Sequence, residues 1–133
     1  MPSEFVKEVA DVFAKDGPLS KVTANYTPRP SQIEFATSVA EALEKGKTLV
    51  AEAGTGTGKT FAYLVPALLK DQKVLISTAG KTLQDQLFTK DIPALLKALG
   101  MGCRVALLKG RSNYICKQRL EHALQEDSYV AKS

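Results

Sequence analysis

The sequence predicts an α/β fold in which a parallel sheet is flanked by helices. Three short apolar segments, 48–51, 73–78 and 103–108, have the composition of buried strands. Stretches with apolar residues at helical spacing lie between and around them. Because strands that alternate with helices pair in parallel through right-handed crossovers, we expect one α/β layer within the 133 residues.

Two helices are predicted before the first strand. The first follows Ser3 and stops at the Asp-Gly-Pro sequence of 16–18. After a proline-containing linker, residues 31–34 (Ser-Gln-Ile-Glu) match a capping box, which predicts a second helix that ends at Gly46. The apolar residues expected to pack from these two helices are Phe5, Val9, Val12, Phe13, Phe35, Val39 and Leu43.

Further helices are predicted between and after the strands. They cover residues 61–69, 82–89, about 92–99 and 113–125. Pro66 should kink the first of them or limit its hydrogen bonding, and Gly100 should end the third. Cys103 falls on the third predicted strand, so we expect it in the core.

The composition is that of an ordinary globular protein. Apolar residues make up 44% of the chain and charged residues 24%, and no apolar run approaches the ~20 residues that span a bilayer. Charged residues interrupt the N-terminal segment, so it does not resemble a secretory signal. Two cysteines cannot form a disulfide framework. We therefore expect a cytoplasmic protein without a membrane segment.

The net charge of +4 is concentrated in the second half of the chain. Between Asp91 and Glu121 every charged residue is basic. Clustered basic residues gain affinity for a nucleic-acid backbone by releasing counterions, so a polyanionic partner is one interpretation. A solvated basic face is the other, and charge alone does not separate them.

Residues 53–60 (Ala-Gly-Thr-Gly-Thr-Gly-Lys-Thr) follow the first predicted strand and precede a helix. The glycines let successive N–H groups face one concavity, and the helix N-terminus adds its positive end. Lys59 can reach the β- and γ-phosphates, and the Thr60 hydroxyl can ligate Mg²⁺. A plain turn needs none of this, so we predict a nucleotide site. Its loop residues are Ala53, Gly54, Thr55, Gly56, Thr57, Gly58, Lys59 and Thr60, the last two with catalytic roles.

Four segments between Tyr26 and Leu120 resemble, in order and spacing, the N-terminal part of DinG/YoaA-type ATP-dependent DNA helicases. This family is a superfamily 2 relative of the XPD iron–sulfur helicases. The segments are 26–32, 53–60, 77–87 and 107–116. The resemblance implies a partial P-loop (RecA-like) motor domain. It also implies ATP and Mg²⁺ as cofactors and ATP hydrolysis coupled to translocation on single-stranded DNA.

The first and third segments imply contacts to the base and to DNA. The pattern Tyr26-x-x-Arg29-x-x-Gln32 resembles the Q motif, in which the glutamine reads adenine. Its alternative is a solvent-facing residue in the first helical turn. Segment 77–87 is similar to motif Ia, which implies phosphate contacts from Thr78 and Lys81.

Segment 107–116 resembles the entry to the iron–sulfur domain of the family. Cys116 corresponds to the first of four thiolate ligands, so a 4Fe–4S cluster is expected only in a full-length member. The basic residues expected to contact DNA here are Lys109, Arg111, Lys117 and Arg119.

None of the predicted strands ends in the acidic pair of a Walker B motif, and we expect no second motor domain within these 133 residues. We therefore expect an N-terminal helix and linker over 1–24, the nucleotide-binding part of the first motor domain over 25–110, and a truncated start of the iron–sulfur region over 111–133. Binding without turnover is the expected behaviour. The alternative function is a non-hydrolysing ATP- or nucleic-acid-binding module, whereas a small P-loop kinase is disfavoured because no acceptor-site signature is apparent.

Overall fold

The computed structural model describes residues 1–56 and 58–130, with side chains described as far as residue 126. The α-helices are α1 (Glu4–Val12), α2 (Pro30–Lys45), α3 (Lys59–Leu69), α4 (Lys81–Gln86), α5 (Ile92–Leu99) and α6 (Lys117–Val130). Short 3₁₀ helices cover Pro18–Lys21 and Arg111–Asn113, and a π-helical turn, Leu87–Asp91, joins α4 to α5.

Among the described residues, one apolar core joins α1, α2, α3, α5 and the first 3₁₀ helix. The core residues are Val6, Val9, Val12, Phe13, Leu19, Ala36, Ala40, Ala62, Leu64, Val65, Leu87, Ile92 and Leu95. Phe13 and Leu19 are fully buried, as are Leu64 of α3 and Leu95 of α5. The core therefore holds the start of α3, where the predicted nucleotide loop ends, against the N-terminal helices.

The predicted parallel sheet is wrong for the described residues, which include no strand. Segments 48–51, 73–78 and 103–108 have no regular secondary structure, and the side chains of Val50, Leu75 and Leu108 are 93%, 94% and 82% exposed. Apolar and β-branched residues are common in strands because they pack well on a pleated, covered surface. This preference takes effect only where neighbouring strands and covering elements are present. Two of these segments instead line an open cavity of about 720 Å³ beside α3, and without a ladder partner neither becomes a strand.

The predicted start of α2 is also wrong. The helix begins at Pro30, its N-cap is Arg29, and no side chain caps it, so Ser31 lies inside the first turn. Proline suits this position because its missing N–H would have no intrahelical partner. The predicted end is confirmed, since Gly46 takes the left-handed conformation with φ of 58°.

The buried face of α2 differs from the predicted one. Gln32, Ala36 and Ala40 are buried at i, i+4 spacing, whereas Leu43 is 37% exposed. Phe35 and Val39 line a smaller cavity of about 310 Å³. The apolar periodicity predicted that the large side chains of α2 would be buried. In the structure the residues of α2 that are buried are two alanines and one glutamine.

The remaining helices follow the prediction in order and shift at their ends. The segment before α5 contains a π-turn in which the Ile92 N–H bonds to the Leu87 carbonyl. Pro93 accounts for it, because proline has no N–H to bond to the Thr89 carbonyl in an α-helical ladder. Gly100, with φ of 64°, ends α5 as predicted.

Two further predictions concern α3 and the last helix. α3 continues through Pro66, which is buried. α6 begins at Lys117, four residues later than predicted, after the second 3₁₀ helix. No helix in the described part of the chain is long and apolar enough to cross a membrane.

Candidate nucleotide-binding site

The loop that precedes α3 contains two glycines in the left-handed conformation. Gly58 is the N-cap of α3 with φ of 74°, and Gly56 has φ of 77°. Side chains disfavour this left-handed region, so glycine is required at both positions. α3 is 11 residues long, and its first N–H groups have no intrahelical partner. Thr57 lies outside the described residues.

Lys59 closes the loop on itself. Its Nζ donates a hydrogen bond of 2.9 Å to the carbonyl oxygen of Ala53, at the other end of the loop. The side chain is exposed, so this ammonium is accessible to a solute. A lysine in this position can exchange one neutral carbonyl acceptor for anionic phosphate oxygens, which form stronger charge-assisted bonds.

Tyr63 lies one turn further along α3 than Thr60. Burial raises the pKa of Tyr63 above its usual value, the Thr60 side chain opposes part of this shift, and the Asp91 charge adds to it. The sequence analysis did not single out Tyr63.

Arg29 and Gln32, the two predicted nucleotide contacts from α2, both donate to the loop backbone. The Arg29 guanidinium bonds to the carbonyl oxygen of Gly56, and the Gln32 amide bonds to that of Gly58 at 3.0 Å. Gln32 is only 5% exposed. The amide predicted to read adenine is thus buried and directed at the loop.

Tyr26, the first residue of the predicted Q motif, ties the linker to α1. Its hydroxyl donates a 2.8 Å hydrogen bond to the carbonyl oxygen of Phe13. Burial raises the pKa of Tyr26, and the nearby Arg29 charge lowers it in part. This contact attaches the linker before α2 to the end of α1, three residues before Arg29 and six before Gln32.

The segments predicted to contact DNA lie side by side. The Gln84 amide of α4 donates to the Leu108 carbonyl at 2.8 Å, and Lys109 pairs with Asp85 at 2.7 Å. The Lys109 N–H donates to the Tyr114 hydroxyl at 2.9 Å. Segment 107–116 is therefore folded against α4. No signal in the sequence paired Gln84 or Asp85 with residues 24 positions later.

Residues 33–131 match the DEAD/DEAH box helicase family. The chain belongs to this helicase family. It is 56% identical over 113 residues to the ATP-dependent DNA helicase YoaA of Escherichia coli. The aligned residues cover 85% of this chain and 18% of that protein. The predicted resemblance to DinG and YoaA helicases is confirmed.

Two further relatives support the same family. The chain is 47% identical over 130 residues to YoaA of Haemophilus influenzae, covering 98% of this chain and 20% of that protein. It is 45% identical over 106 residues to the ATP-dependent helicase DinG of Mycobacterium tuberculosis, covering 74% and 16% respectively. The chain thus spans about a fifth of the length of these relatives. No solved structure gave a significant match.

Most of the basic residues predicted to contact DNA are exposed. Lys81 at the start of α4 is exposed, as are Arg111, Lys117 and Arg119. Lys109 differs, because its ion pair with Asp85 partly neutralises its charge. Thr78 donates to the Gly80 carbonyl at 3.0 Å and so stabilises the turn before α4. Four of the five predicted DNA-contacting basic side chains are therefore exposed.

The cysteines do not fit an iron–sulfur cluster by themselves. Cys103 and Cys116 are both free and exposed, so the predicted core position of Cys103 is wrong. Its segment was expected to be a covered strand, and it is uncovered. Among the described residues no three His, Cys, Asp or Glu side chains form a metal-binding group. A 4Fe–4S cluster needs four ligands, and the described residues do not supply them.

Proposed function

We propose that this chain binds Mg·ATP at loop 53–60 and that it supplies this nucleotide site to an ATP-dependent DNA helicase. The loop geometry is the main support. Two glycines at positive φ lead directly into the N-terminus of α3, with Lys59 and Thr60 in its first turn. The names of the relatives support ATP and DNA as ligands. Hydrolysis and translocation are proposed for a whole helicase of this family.

The residues present suit a magnesium-bound triphosphate. Free N–H groups at the start of α3 and the Lys59 ammonium would bind phosphate oxygens, and the Thr60 hydroxyl would bind the metal. Bound Mg²⁺ would neutralise charge on the β- and γ-phosphates. Binding would replace the Lys59 bond to Ala53 with bonds to the ligand.

Calorimetric titration of the chain with ATP tests this proposal. We expect saturable binding of one nucleotide, which weakens when Mg²⁺ is chelated because the Thr60 contact then loses its metal. AMP is the matched control, since it keeps the base and lacks the β- and γ-phosphates. AMP that binds as tightly as ATP, or ATP that fails to saturate, would contradict the assignment of the loop.

We also propose a single-stranded DNA surface formed by α4, segment 107–116 and the start of α6. We call it the basic surface and define it by Lys81, Lys109, Arg111, Lys117 and Arg119. Three observations support it: the two predicted DNA segments are docked together, four of the five basic side chains are exposed, and no acid lies between Asp91 and Glu121 in sequence. Backbone phosphates are the expected contacts.

Replacing Arg111, Lys117 and Arg119 with glutamine should weaken binding to single-stranded DNA and flatten its dependence on salt. Each lost phosphate contact lowers the slope of log affinity against log salt by ~0.7, so three contacts correspond to a fall of about 2. Fluorescence anisotropy of a labelled oligothymidylate over a salt series measures this slope.

The matched control replaces Lys7, Lys15 and Lys21, three exposed lysines near the N-terminus, with glutamine. This variant carries the same change in net charge and should keep the parental slope. If both triple variants lower the slope equally, binding follows net charge and the basic surface is not the site.

A further inference from the structure

Lys109 belongs to the basic surface, but an acid of α4 already holds its charge. The Lys109 ammonium lies 2.7 Å from a carboxylate oxygen of Asp85, and the lysine side chain is 24% exposed. In the sequence from 72 to 120 the only acidic residues are Asp85 and Asp91. The Asp91 carboxylate accepts a hydrogen bond from the neutral Gln86 amide at 3.0 Å. Asp85 is therefore the acid of this stretch that the structure places against a basic side chain.

The backbone of Lys109 is fixed by contacts that do not involve Asp85. The preceding carbonyl, that of Leu108, accepts the Gln84 amide at 2.8 Å. The Lys109 N–H donates to the Tyr114 hydroxyl at 2.9 Å. Neither bond depends on the contact between the carboxylate and the ammonium. Separation of that pair therefore frees the end of a flexible four-carbon side chain, while the segment stays docked on α4.

The ion pair is weak enough for a phosphate to displace it. The Asp85 side chain is 51% exposed, so water and salt screen its attraction for Lys109. Breaking an exposed pair of this kind costs about two- to five-fold in an equilibrium constant. A nucleic-acid backbone offers the ammonium a row of phosphates, and each contact also releases a condensed counterion. Exchange of the carboxylate for a phosphate is therefore favourable, but the pair in the free chain reduces the gain.

We propose that Asp85 is an autoinhibitory contact of the basic surface, which holds the Lys109 ammonium until a backbone phosphate of single-stranded DNA displaces the carboxylate. This inference rests on the proposed DNA surface and assigns to it a residue that opposes binding. In the complex Lys109 binds phosphate, and the released carboxylate faces solvent. The pair thereby lowers the affinity of the surface without lowering the number of phosphates that the surface contacts.

Asp85→Asn tests the proposal, because it keeps the shape of the side chain and removes the charge that competes for Lys109. We expect a labelled oligothymidylate to bind about two- to five-fold more tightly, the worth of an exposed ion pair. The slope of log affinity against log salt should change by much less than the ~0.7 of one added phosphate contact, since Lys109 contacts phosphate in both proteins. Anisotropy titrations at several salt concentrations give affinity and slope together.

Two controls separate the ion pair from general repulsion of DNA by an acid. Asp91→Asn removes the next acid along the chain without freeing a lysine, so it should raise the affinity less than Asp85→Asn does. In a Lys109→Gln background the gain from Asp85→Asn should be clearly smaller, because no ammonium is left to release. Equal gains from the two asparagine variants, a gain that survives in full without Lys109, or no gain from Asp85→Asn would each overturn the proposal.

The carboxyl carbon resonance of Asp85 reports the exchange directly. Adding oligothymidylate should move it to its position in the free Lys109→Gln variant, where the carboxylate has lost its partner. A resonance that stays at the free parental position while DNA binds shows an intact pair and overturns the proposal. A parental chain without salt-dependent DNA binding contradicts the proposed DNA surface itself, and the inference falls with it. Binding whose slope is unchanged by Lys109→Gln leaves that surface in place and overturns the inference alone.

Discussion

Lys59→Ala is expected to reduce the affinity for Mg·ATP by about 1.5–3 kcal/mol, the range for hydrogen bonds to charged groups. The variant removes the ammonium that closes the loop at Ala53 and that would bind the β- and γ-phosphates. The fold should be unaffected, because the Lys59 side chain is exposed. Titration with ATP and with inorganic triphosphate should show the same loss, since the lysine acts on phosphate alone.

Two variants sharpen this comparison. Lys73→Ala removes an exposed lysine outside the loop and should leave the affinity at the parental value. Lys59→Arg keeps the positive charge but replaces a compact ammonium with a planar fork, so it should recover part of the loss. Equal affinities of the parental chain and Lys59→Ala would remove the phosphate-binding role of the loop.

Phe13→Ala is expected to lower the free energy of unfolding by about 3–5 kcal/mol, the usual cost of truncating a buried phenylalanine. Phe13 is fully buried where α1 ends, among core residues from α2 and α3. The Phe13 carbonyl also accepts a hydrogen bond from the Tyr26 hydroxyl. A shift of the backbone at position 13 should therefore loosen the linker that leads to α2. Urea denaturation followed by far-ultraviolet circular dichroism measures the effect.

Phe88→Ala is the control of equal side-chain volume. Phe88 is 36% exposed and lines the larger cavity, so less apolar surface returns to water on its truncation. We expect a clearly smaller change in the urea midpoint for this variant. If the two variants destabilise the chain equally, the core does not lie where the N-terminal helices meet α3.

The ends of several elements could be predicted because local chemistry determines them. Gly46 and Gly100 end α2 and α5 in the left-handed conformation, which few other residues adopt at low cost. Ser3 accepts a hydrogen bond from the Val6 N–H and so begins α1 as expected. The start of α2 was mispredicted because Pro30 and the residues of the capping box offered competing signals within one turn.

Residues far apart in sequence decided what local patterns could not. The ion pair between Asp85 and Lys109, the bond from Gln84 to Leu108 and the burial of Gln32 each depend on chain segments brought together by packing. The same dependence explains why the predicted sheet does not form among the described residues. A strand exists only where a neighbouring strand accepts its backbone hydrogen bonds, and the described residues provide no such neighbour for 48–51, 73–78 or 103–108.

The sequence by itself determined the family, and it predicted the position of the nucleotide loop, because both rest on short contiguous segments. The tertiary structure decided the orientation of the loop. Arg29 and Gln32 lie on another helix, and only the packing of α2 on α3 places their donors beside the carbonyls of Gly56 and Gly58. A hydrogen bond acts over about 3 Å, so a contact between positions 26 residues apart exists only after the chain has folded.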